Sequence, residues 1–594
     1  MAHSRRDRTP PADRPTTVAF AAAAALLVGV PLVWTTAVTD PFRTPQRLLA
    51  LLTLGVLAAA FLAAPGVRRA RSDGWTLAWA GVFAAGLLAA LACPHPGLAL
   101  ASLVPLLLAA LGWAAIRQLD EARQRRLRGL VVVAALLQAG LTVAFASPAW
   151  RPDSYRLLAG LEGRYAWIGT LGNPGWVGVF LVLPALLATA LALAEPRRRA
   201  AWGLAAAALA GVVVASRTLT ALAALVFGLA VLILRTLPGR RRLAAGALLF
   251  VATAALLALS PLRGRVSNAV TEVARGGWSW LASGRGAAIE VGAAMLAGHP
   301  LAGIGPGRFE ASSFAFAREE QLAERARALG LVTGFGEAHN DMLQFVAEHG
   351  AIGTVLALAG LALAWRRRPP GDGVLPAPEA LFAAAALLAL TQFPLHHAAT
   401  AAQWLVLAAL ALPRLPGDPA GGRQVPRWRA ALAIALAAVV ALVAWQRFTA
   451  ERGVAQAQRL SESIRGAPRP AALQPVARVA RDNLGRQLRW LPGDWRALLA
   501  LGNLSIDAGE PSVARRQFEA ALALAERPET RFDLGVAALL AGDRGAALDQ
   551  LEIAVRLNPV LYRQVRDEET RRALRARLEA SGYVARHPWA FAAD

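Results

Sequence analysis

Apolar stretches of close to twenty residues recur along the chain between residues 17 and 447. A helix of roughly 20 apolar residues is long enough to cross the hydrocarbon layer of a bilayer. The pattern predicts an all-α, polytopic membrane protein with about thirteen membrane-spanning helices. The predicted spans are residues 17–38, 46–64, 75–93, 97–116, 128–147, 173–194, 200–215, 218–235, 243–260, 346–365, 378–395, 398–412 and 428–447.

The composition agrees with a membrane protein. Of the 594 residues, 56% are hydrophobic and 17% are charged, whereas roughly a quarter of the residues of an average soluble protein are charged. A soluble globular enzyme is therefore excluded. The formal net charge of +24 comes from arginine alone, because the chain has no lysine. Schiff-base chemistry and a P-loop lysine are excluded as well.

Arginines cluster in every second loop between the predicted spans. Positively charged residues in short loops stay on the cytoplasmic side of a membrane. The N-terminus is therefore predicted to be cytoplasmic, and an odd number of spans places the C-terminus outside. Because the arginines follow this topology, the positive charge does not indicate a nucleic-acid binder. The clusters lie at residues 5–14, 68–71, 117–128, 197–199, 235–242, 366–368 and 414–429.

Two segments do not resemble membrane spans, and both fall on the predicted outer side. Residues 261–345 form a large outer loop within a membrane domain of residues 1–447, and residues 448–594 form a second domain. The second domain contains pairs that recur 33 positions apart, such as Leu501-Gly502 and Leu534-Gly535. Helix pairs with a period near 34 are typical of tetratricopeptide repeats. The alternative is an unrelated pair of helical hairpins.

Arg217 lies in a minimal turn between two apolar segments, near the predicted outer surface. An unpaired cation is costly at such a place. One interpretation is that its guanidinium binds a phosphate or diphosphate through paired hydrogen bonds. The other is a snorkelling arginine that bonds to local carbonyls. The sequence does not decide between them.

The outer loop carries Arg285 in the passage Ser-Gly-Arg-Gly, followed by a glycine-rich passage at residues 303–307. A helix is predicted from Ser283 to Leu296. No strand precedes the glycines and no Gly-Lys-Ser/Thr follows them, which favours a turn joining two amphipathic helices over a phosphate-binding loop. Arg285 is a candidate anion ligand, with an exposed loop charge as the alternative.

His339 is flanked by Glu337 and Asp341, close to the start of a predicted span. An imidazole whose tautomer is fixed by a carboxylate can remove a proton from an acceptor hydroxyl. A helix-capping or buried structural histidine is the alternative. The spacing of the histidines does not predict a metal site, because no His-Glu-x-x-His pattern is present and the adjacent His396 and His397 would point in different directions.

Several of these passages together resemble the O-antigen ligase and polymerase superfamily, whose bacterial membrane proteins move glycans from polyprenyl diphosphate onto an acceptor. The resemblance covers about residues 15–447. The passages that carry it are Gly-Thr-Leu-Gly-Asn-Pro-Gly-Trp from residue 169, Ser-Arg-Thr-Leu-Thr from residue 216, Arg285 with the glycine-rich passage to residue 309, Ala-His-Asn-Asp-Met from residue 338, and Thr-Gln-Phe-Pro-Leu-His from residue 391.

The resemblance implies a glycosyltransferase C-like membrane architecture in a bacterial inner membrane, with the C-terminal domain in the periplasm and no metal or other cofactor. It implies that Arg217 and Arg285 bind the diphosphate and that His339 activates the acceptor hydroxyl. Arg47 lies where a family lysine is expected, so it is a candidate substrate ligand. Arg164 and Asn173 have similar positions at the outer face, although Asn173 is equally suited to cap the following helix.

The resemblance implies an inverting transfer, in which arginines alone neutralise the leaving diphosphate. The acceptor is a glycan, a lipid or a protein, and the C-terminal domain offers grooves for an acceptor, another assembly protein or a second copy. Two other functions stay open. A transporter or flippase would place ionisable groups in the middle of the spans, and the spans are nearly free of charge. A non-catalytic scaffold would make the arginines and His339 dispensable.

Overall fold

The computed structural model describes residues 14–64, 74–153, 155, 162–259, 262–274, 286–329, 334–367, 373–414, 425–488 and 493–592. These residues form helices and connecting turns, and no β-strand occurs among them. The predicted all-α fold is confirmed.

Eleven helices in the described part of the chain are long and apolar enough to cross a membrane. They correspond to eleven of the predicted spans. They are α1 (Arg14–Leu32), α2 (Arg43–Ala63), α3 (Trp75–Ala92), α4 (Pro96–Arg117), α5 (Glu121–Ala146), α6 (Pro174–Ala194), α7 (Arg199–Ala215), α8 (Leu219–Thr236), α9 (Gly239–Leu259), α14 (Asp341–Arg366) and α17 (Arg427–Arg465).

The outer loop contributes four helices between α9 and α14: α10 (Leu262–Ala274), α11 (Gly286–Gly298), α12 (Phe309–Phe316) and α13 (Glu319–Leu329). The helix predicted from Ser283 is therefore described from Gly286, and Ser283 lies outside the described residues. The glycine-rich passage is a turn between α11 and α12, as predicted.

The two remaining predicted spans are the shorter helices α15 (Pro378–Thr391) and α16 (Ala398–Leu410). At 1.5 Å per residue they are about 21 and 20 Å long, less than the roughly 30 Å of hydrocarbon. A hydrogen bond joins the segment before α15 to the end of α16: the backbone N–H of Val374 donates to the carbonyl of Leu410 at 2.9 Å. Arg117 at the end of α4 donates to the nearby Pro413 carbonyl at 2.8 Å. The pair therefore starts and finishes at the arginine-rich end of the bundle.

Helix α14 packs against α3 through glycines. A Cβ atom at Gly81 would lie 2.6 Å from the carbonyl oxygen of Leu356, and one at Gly360 would lie 2.6 Å from the carbonyl oxygen of Leu77. Small residues let two membrane helices approach this closely. The contact fixes α14, and with it the residues that precede it, to the rest of the bundle.

The glycine-rich turn between α11 and α12 lies against a kink in α14. Gly350 has a φ angle of 65° inside α14, and a Cβ atom there would lie 2.3 Å from the Leu301 carbonyl oxygen. The backbone N–H groups of Gly305 and Gly307 donate to the carbonyl and the carboxylate of Glu348, at 3.0 and 2.9 Å. The glycines therefore serve close backbone packing between the outer loop and the bundle.

Six helices of at least 13 residues follow α17: α18 (Gln474–Leu488), α19 (Trp495–Asp507), α20 (Pro511–Leu524), α21 (Pro528–Leu540), α22 (Arg544–Leu557) and α23 (Glu568–Ala580). Helices α21 and α22 begin and end 33 residues after α19 and α20, which is the offset seen in the sequence. Glycines again allow close packing, because a Cβ atom at Gly502 would meet the ring of Phe518 and one at Gly535 would meet Leu551. The assignment to the tetratricopeptide type stays a prediction. The predicted domain boundary after residue 447 falls within α17.

The C-terminal helices dock onto the outer loop. Glu310 of α12 accepts a hydrogen bond from Arg496 at 2.6 Å, and Arg527 lies 3.3 Å from the same carboxylate oxygen. The side chain of Arg308 donates to the Leu524 carbonyl at 2.8 Å. Three apolar side chains from the C-terminal helices complete the contact: Leu557, Val560 and Trp589.

Candidate functional site

Arg217 is presented by a tight turn between α7 and α8, at the end of the bundle opposite the arginine-rich loops. Its side chain is exposed and its φ angle is 51°. Arg164 lies outside this turn in the sequence and donates two hydrogen bonds to it. Its Nε donates to the Ser216 carbonyl at 3.2 Å, and its Nη2 donates to the Thr218 hydroxyl at 3.4 Å. Two predicted site residues, Arg164 and Arg217, are thus brought together.

The N-terminus of α6 lies against the same turn. The Asn173 side-chain oxygen accepts from the Gly175 N–H at 2.7 Å, so Asn173 caps α6. The Thr218 hydroxyl donates to the Pro174 carbonyl at 3.4 Å. The N-terminal end of a helix carries a partial positive charge. Together with Arg164 and Arg217, it makes this corner of the molecule favourable for an anion.

Arg43 begins α2 and lies between two other parts of the site. It forms an ion pair with Glu337, and both side chains are mostly buried, with 20% and 12% exposed. Its guanidinium carbon lies 5.5 Å from the centroid of the Trp176 ring. Arg47, the predicted substrate ligand, follows one helical turn later on α2 and is exposed.

Residues 392–397, between α15 and α16, join these parts and are named here the histidine turn. The Phe393 ring lies 4.7 Å from the ring of His339, centroid to centroid, and Trp176 lies 4.7 Å from His397. The Gln392 side-chain amide donates to the hydroxyl of Thr220, next to the Arg217 turn. Three distant passages of the sequence, those of Trp176, Thr220 and His339, therefore meet at the histidine turn.

Asp341 is paired with the histidine turn. Its carboxylate is 2.7 Å from Nδ1 of His396 and accepts from the Leu395 N–H at 3.0 Å. The sequence predicted that Glu337 and Asp341 would assist His339. In the structure Glu337 forms an ion pair with Arg43, and Asp341 pairs with His396. Chain neighbours of a residue at the start of a helix project in different directions, which the sequence interpretation did not take into account.

Burial and neighbouring charges set the pKa values of the two histidines in the turn. Burial alone would lower the pKa of His396, but the hydrogen bond and the charge of Asp341 raise it above its ordinary value. Burial lowers the pKa of His397 to about 3, assisted by the charges of Arg43 and Arg47. Adjacent histidines are thus placed in opposite electrostatic environments.

His339 lies just before α14 with a φ angle of 55°. Asn340 caps the helix, because its side-chain oxygen accepts from the Leu343 N–H at 2.9 Å. The capping role considered for His339 therefore belongs to its neighbour. Positive φ is rare outside glycine, and such strain concentrates at functional sites. Among the described non-glycine residues only Arg217, His339 and Ala377 have it, and the first two are predicted site residues.

Some of the predicted site cannot be placed. Arg285 lies outside the described residues. Among the residues that are described, no three histidine, cysteine or acidic side chains are grouped as metal ligands. Sequence reasoning also missed Arg43 and the pairing of His396 with Asp341. Arg43 precedes Arg47 by four positions, which places both on one face of a helix, and His396 belongs to a passage that was already recognised.

No curated protein matches the chain. Residues 204–358 match the model of the O-antigen ligase family. The matched segment runs from α7 into α14, and it includes Arg217, Arg285 and His339. The match and the membrane-spanning helices together support a glycosyltransferase-like membrane protein of the O-antigen ligase superfamily.

Proposed function

We propose that this protein transfers a glycan from a polyprenyl-diphosphate carrier to an acceptor hydroxyl at the outer face of the bacterial cytoplasmic membrane. The observation that carries the proposal is the meeting of the Arg217 turn, the N-terminus of α6 and the histidine turn at one end of the bundle. This arrangement supports the proposal, because a corner that is favourable for an anion lies beside residues suited to proton transfer.

Arg217 contacts the diphosphate of the donor in this proposal. Its guanidinium offers paired donors that match phosphate oxygens. Arg164 holds the turn in place, and the α6 N-terminus adds favourable potential. Arg285 joins them on the basis of the family resemblance alone. Neutralising the charge that develops on the leaving diphosphate accelerates its departure, so the mechanism requires no metal or other cofactor.

The acceptor hydroxyl binds on the side of His339 and Phe393, whose rings are in contact. Its oxygen attacks the anomeric carbon, and a bond between the two forms. The bond from that carbon to the diphosphate oxygen breaks, and its electron pair leaves with the diphosphate. A histidine of this cluster takes the hydroxyl proton, and the resemblance assigns that task to His339. A single displacement of this kind inverts the anomeric configuration.

The C-terminal helices lie on the same side of the membrane domain as the candidate site, because they dock on the outer loop through Glu310. We propose that this side faces the periplasm and that the N-terminus is cytoplasmic, as the distribution of arginines predicts. The acceptor is a glycan, a lipid or a protein side chain. The docked position of the C-terminal helices suits them to bring an acceptor or a partner protein to the site.

The test is acceptor-dependent release of polyprenyl diphosphate by the purified protein in lipid vesicles. A polyprenyl-diphosphate glycan is supplied with candidate acceptors, and Arg217→Ala is compared with wild type. We expect a loss of about 100-fold or more, as for removal of one oxyanion donor. Arg197→Ala is the control, because Arg197 is an exposed arginine at the other end of the bundle. The proposal would be contradicted if wild type released polyprenyl diphosphate at the same rate with and without an acceptor, or if Arg217→Ala were fully active.

A further inference from the structure

The C-terminal part of the chain reaches over the membrane domain beside the candidate site. Arg459, in the part of α17 beyond residue 447, donates to the Thr36 carbonyl in the turn before α2. Arg496 at the start of α19 donates to the carboxylate of Glu310 in the outer loop at 2.6 Å. These two contacts bring the end of α17 and the start of α19 next to the outer end of α2.

Charged side chains from four parts of the chain lie near one another at this place. Arg47 of α2 is exposed, and the charge of Glu310 acts on it. The charges of Arg47 and Arg496 act on Glu451 of α17, which is half-buried. Charges act on one another over about 10 Å in dilute salt, so these groups surround one water-accessible space. We name it the interdomain cleft, and its charged side chains are Asp40, Arg47, Glu310, Glu451, Asp494 and Arg496.

Most of the charged side chains in the interdomain cleft already have a partner. The two aspartates cap helices, each accepting a backbone N–H, at 2.8 and 2.9 Å. Glu310 and Arg496 bond to each other. Arg47 and Glu451 differ, because neither side chain forms a hydrogen bond or an ion pair with any residue in the part of the chain that the structure describes. A guanidinium and a carboxylate are thus available to a ligand in one cleft.

We propose that the interdomain cleft binds a saccharide, with Arg47 and Glu451 as its hydrogen-bonding ligands. The inference rests on the proposed function and deepens it, because it locates the sugar of a substrate and gives the end of α17 a part in binding it. A sugar hydroxyl both donates and accepts hydrogen bonds. Arg47 donates to a hydroxyl oxygen, and the carboxylate of Glu451 accepts a hydrogen bond from a hydroxyl.

The mixture of charges in the cleft favours an uncharged, hydroxyl-rich ligand. A diphosphate would be repelled by Glu310 and Glu451, and a cation would be repelled by Arg47 and Arg496. An apolar lipid chain would cover charged groups without bonding to them, which is costly. The cleft also adjoins the candidate site, because the charge of Arg47 acts on His397 of the histidine turn. A sugar held here is therefore close to the place where we propose that transfer occurs.

The first test is the kinetics of acceptor-dependent release of polyprenyl diphosphate in lipid vesicles, with KM measured separately for donor and acceptor. Glu451→Ala removes the carboxylate. We expect KM to rise about tenfold for the substrate whose sugar occupies the cleft, with little change in kcat, because this hydrogen bond is made equally before and during transfer. Glu462→Ala is the matched control, since Glu462 is an exposed glutamate about three helical turns further along α17.

Glu451→Gln distinguishes a saccharide from a charged ligand. Its amide still bonds to hydroxyl groups, so we expect a KM close to that of wild type. A cationic ligand would lose as much affinity in Glu451→Gln as in Glu451→Ala, and an anionic ligand would bind both variants more tightly than wild type. An equal loss in both variants, a fall in KM, or a change confined to kcat would overturn the inference.

A second measurement needs no turnover. The single cysteine of the chain, Cys93, is buried, so Glu451→Cys introduces one accessible thiol at the cleft and Glu462→Cys introduces one elsewhere on α17. The rate of modification by a water-soluble maleimide is measured in lipid nanodiscs. The additions, each made alone, are the polyprenyl-diphosphate glycan, its glycan freed by mild acid, polyprenyl diphosphate without glycan, and a sugar-bearing acceptor. We expect a saccharide to slow modification at residue 451 and not at residue 462.

The outcomes also identify the source of the sugar. Protection of residue 451 by the donor and by its freed glycan assigns the cleft to the donor, and protection by the acceptor assigns it to the acceptor. Protection by polyprenyl diphosphate alone, or normal turnover without any protection, overturns the inference and leaves the proposed function intact. If wild type shows no acceptor-dependent release while the freed glycan still protects, the proposed function fails and the cleft stands as a saccharide-binding site.

Discussion

Arg43 and Glu337 are 294 positions apart in the sequence and form a mostly buried ion pair. The pair connects the start of α2 to the segment that carries His339. Arg43 also lies beside the Trp176 ring, so a single guanidinium touches two of the elements that form the site. The position of His339 relative to the rest of the bundle therefore depends on a residue from the first outer turn.

Glu337→Gln removes the charge that compensates Arg43. A hydrogen bond to a charged group that is withdrawn from water contributes about 1.5–3 kcal/mol, and we expect a loss of stability in that range. Activity should fall as well, because His339 is displaced. Thermal unfolding in the same lipid measures the first effect. Glu121→Gln is the control, since Glu121 forms an exposed ion pair with Arg125 on one helix, where a change below about 0.5 kcal/mol is expected.

Gly350→Ala introduces a methyl group at a positive φ angle and against the backbone of Leu301. Backbone strain and overpacking each cost about 1–3 kcal/mol. We expect a clear fall in the unfolding temperature and a loosened outer loop. Gly129→Ala is the matched control, because Gly129 lies in α5 with nothing within 4 Å of the added atom. An unchanged unfolding temperature for Gly350→Ala would contradict the close packing of the kink.

Glu310→Gln weakens the docking of the C-terminal helices. Arg527, whose side chain is only 5% exposed, loses its counter-charge. We expect faster amide hydrogen exchange in α19 and α20, measured by mass spectrometry, and unchanged exchange in α6. Glu519→Gln removes a carboxylate from an exposed pair with Arg515 and should leave exchange at the docking surface unaltered. Equal exchange in both variants would show that Glu310 does not hold the two parts together.

The same contact has a defined pH dependence. Burial alone would raise the pKa of Glu310, but Arg496 and Arg527 lower it below its ordinary value of 4.5. A carboxylate with a lowered pKa stabilises the fold above its ordinary pKa, and this contribution is lost as the pH falls through the lowered value. We expect the protection of backbone amides at the docking surface, relative to their intrinsic exchange rate at each pH, to stay constant from pH 7 to about pH 5, and docking to weaken only in stronger acid.

Asp533 in α21 behaves in the opposite way. Burial raises its pKa from 3.8 to about 6, although Arg465 and Asn503 partly oppose the shift. An acid with a raised pKa binds its proton more tightly in the folded state, so stability increases as the pH falls from about 6 towards 3.8. Asp533→Asn should remove this dependence. Thermal unfolding of both proteins between pH 7 and 4.5 measures it, and parallel curves would contradict it.

The sequence was sufficient for the membrane architecture, because spans of apolar residues are a strong local signal. It also placed Arg164 and Arg217 on the same side of the membrane, which the structure refines to a direct contact between Arg164 and the Arg217 turn. The partners of the acids could not be predicted. Asp341 and His396 are 55 positions apart, and their contact depends on how α14 packs against the two short helices.

The second interpretation of Asn173 was also settled only by the structure, which shows the side chain capping α6. A cap is a local hydrogen bond, yet the same residue type at the same position suits a ligand contact equally well. Arg47 is an exposed residue of α2 and stays a predicted substrate ligand. Arg43 lies one helical turn earlier and is mostly buried in an ion pair that was not visible in the sequence.

The short length of α15 and α16 has a consequence for the surrounding lipid. Helices of about 21 and 20 Å do not match a hydrocarbon layer of about 30 Å. Bilayers accommodate such a mismatch by becoming locally thinner beside the protein. Such thinning would bring the headgroup layer closer to the histidine turn. Under the proposed function, a lipid-linked donor that diffuses to this place would arrive with its diphosphate already closer to the depth of Arg217, so the membrane itself would contribute to the depth of the transfer.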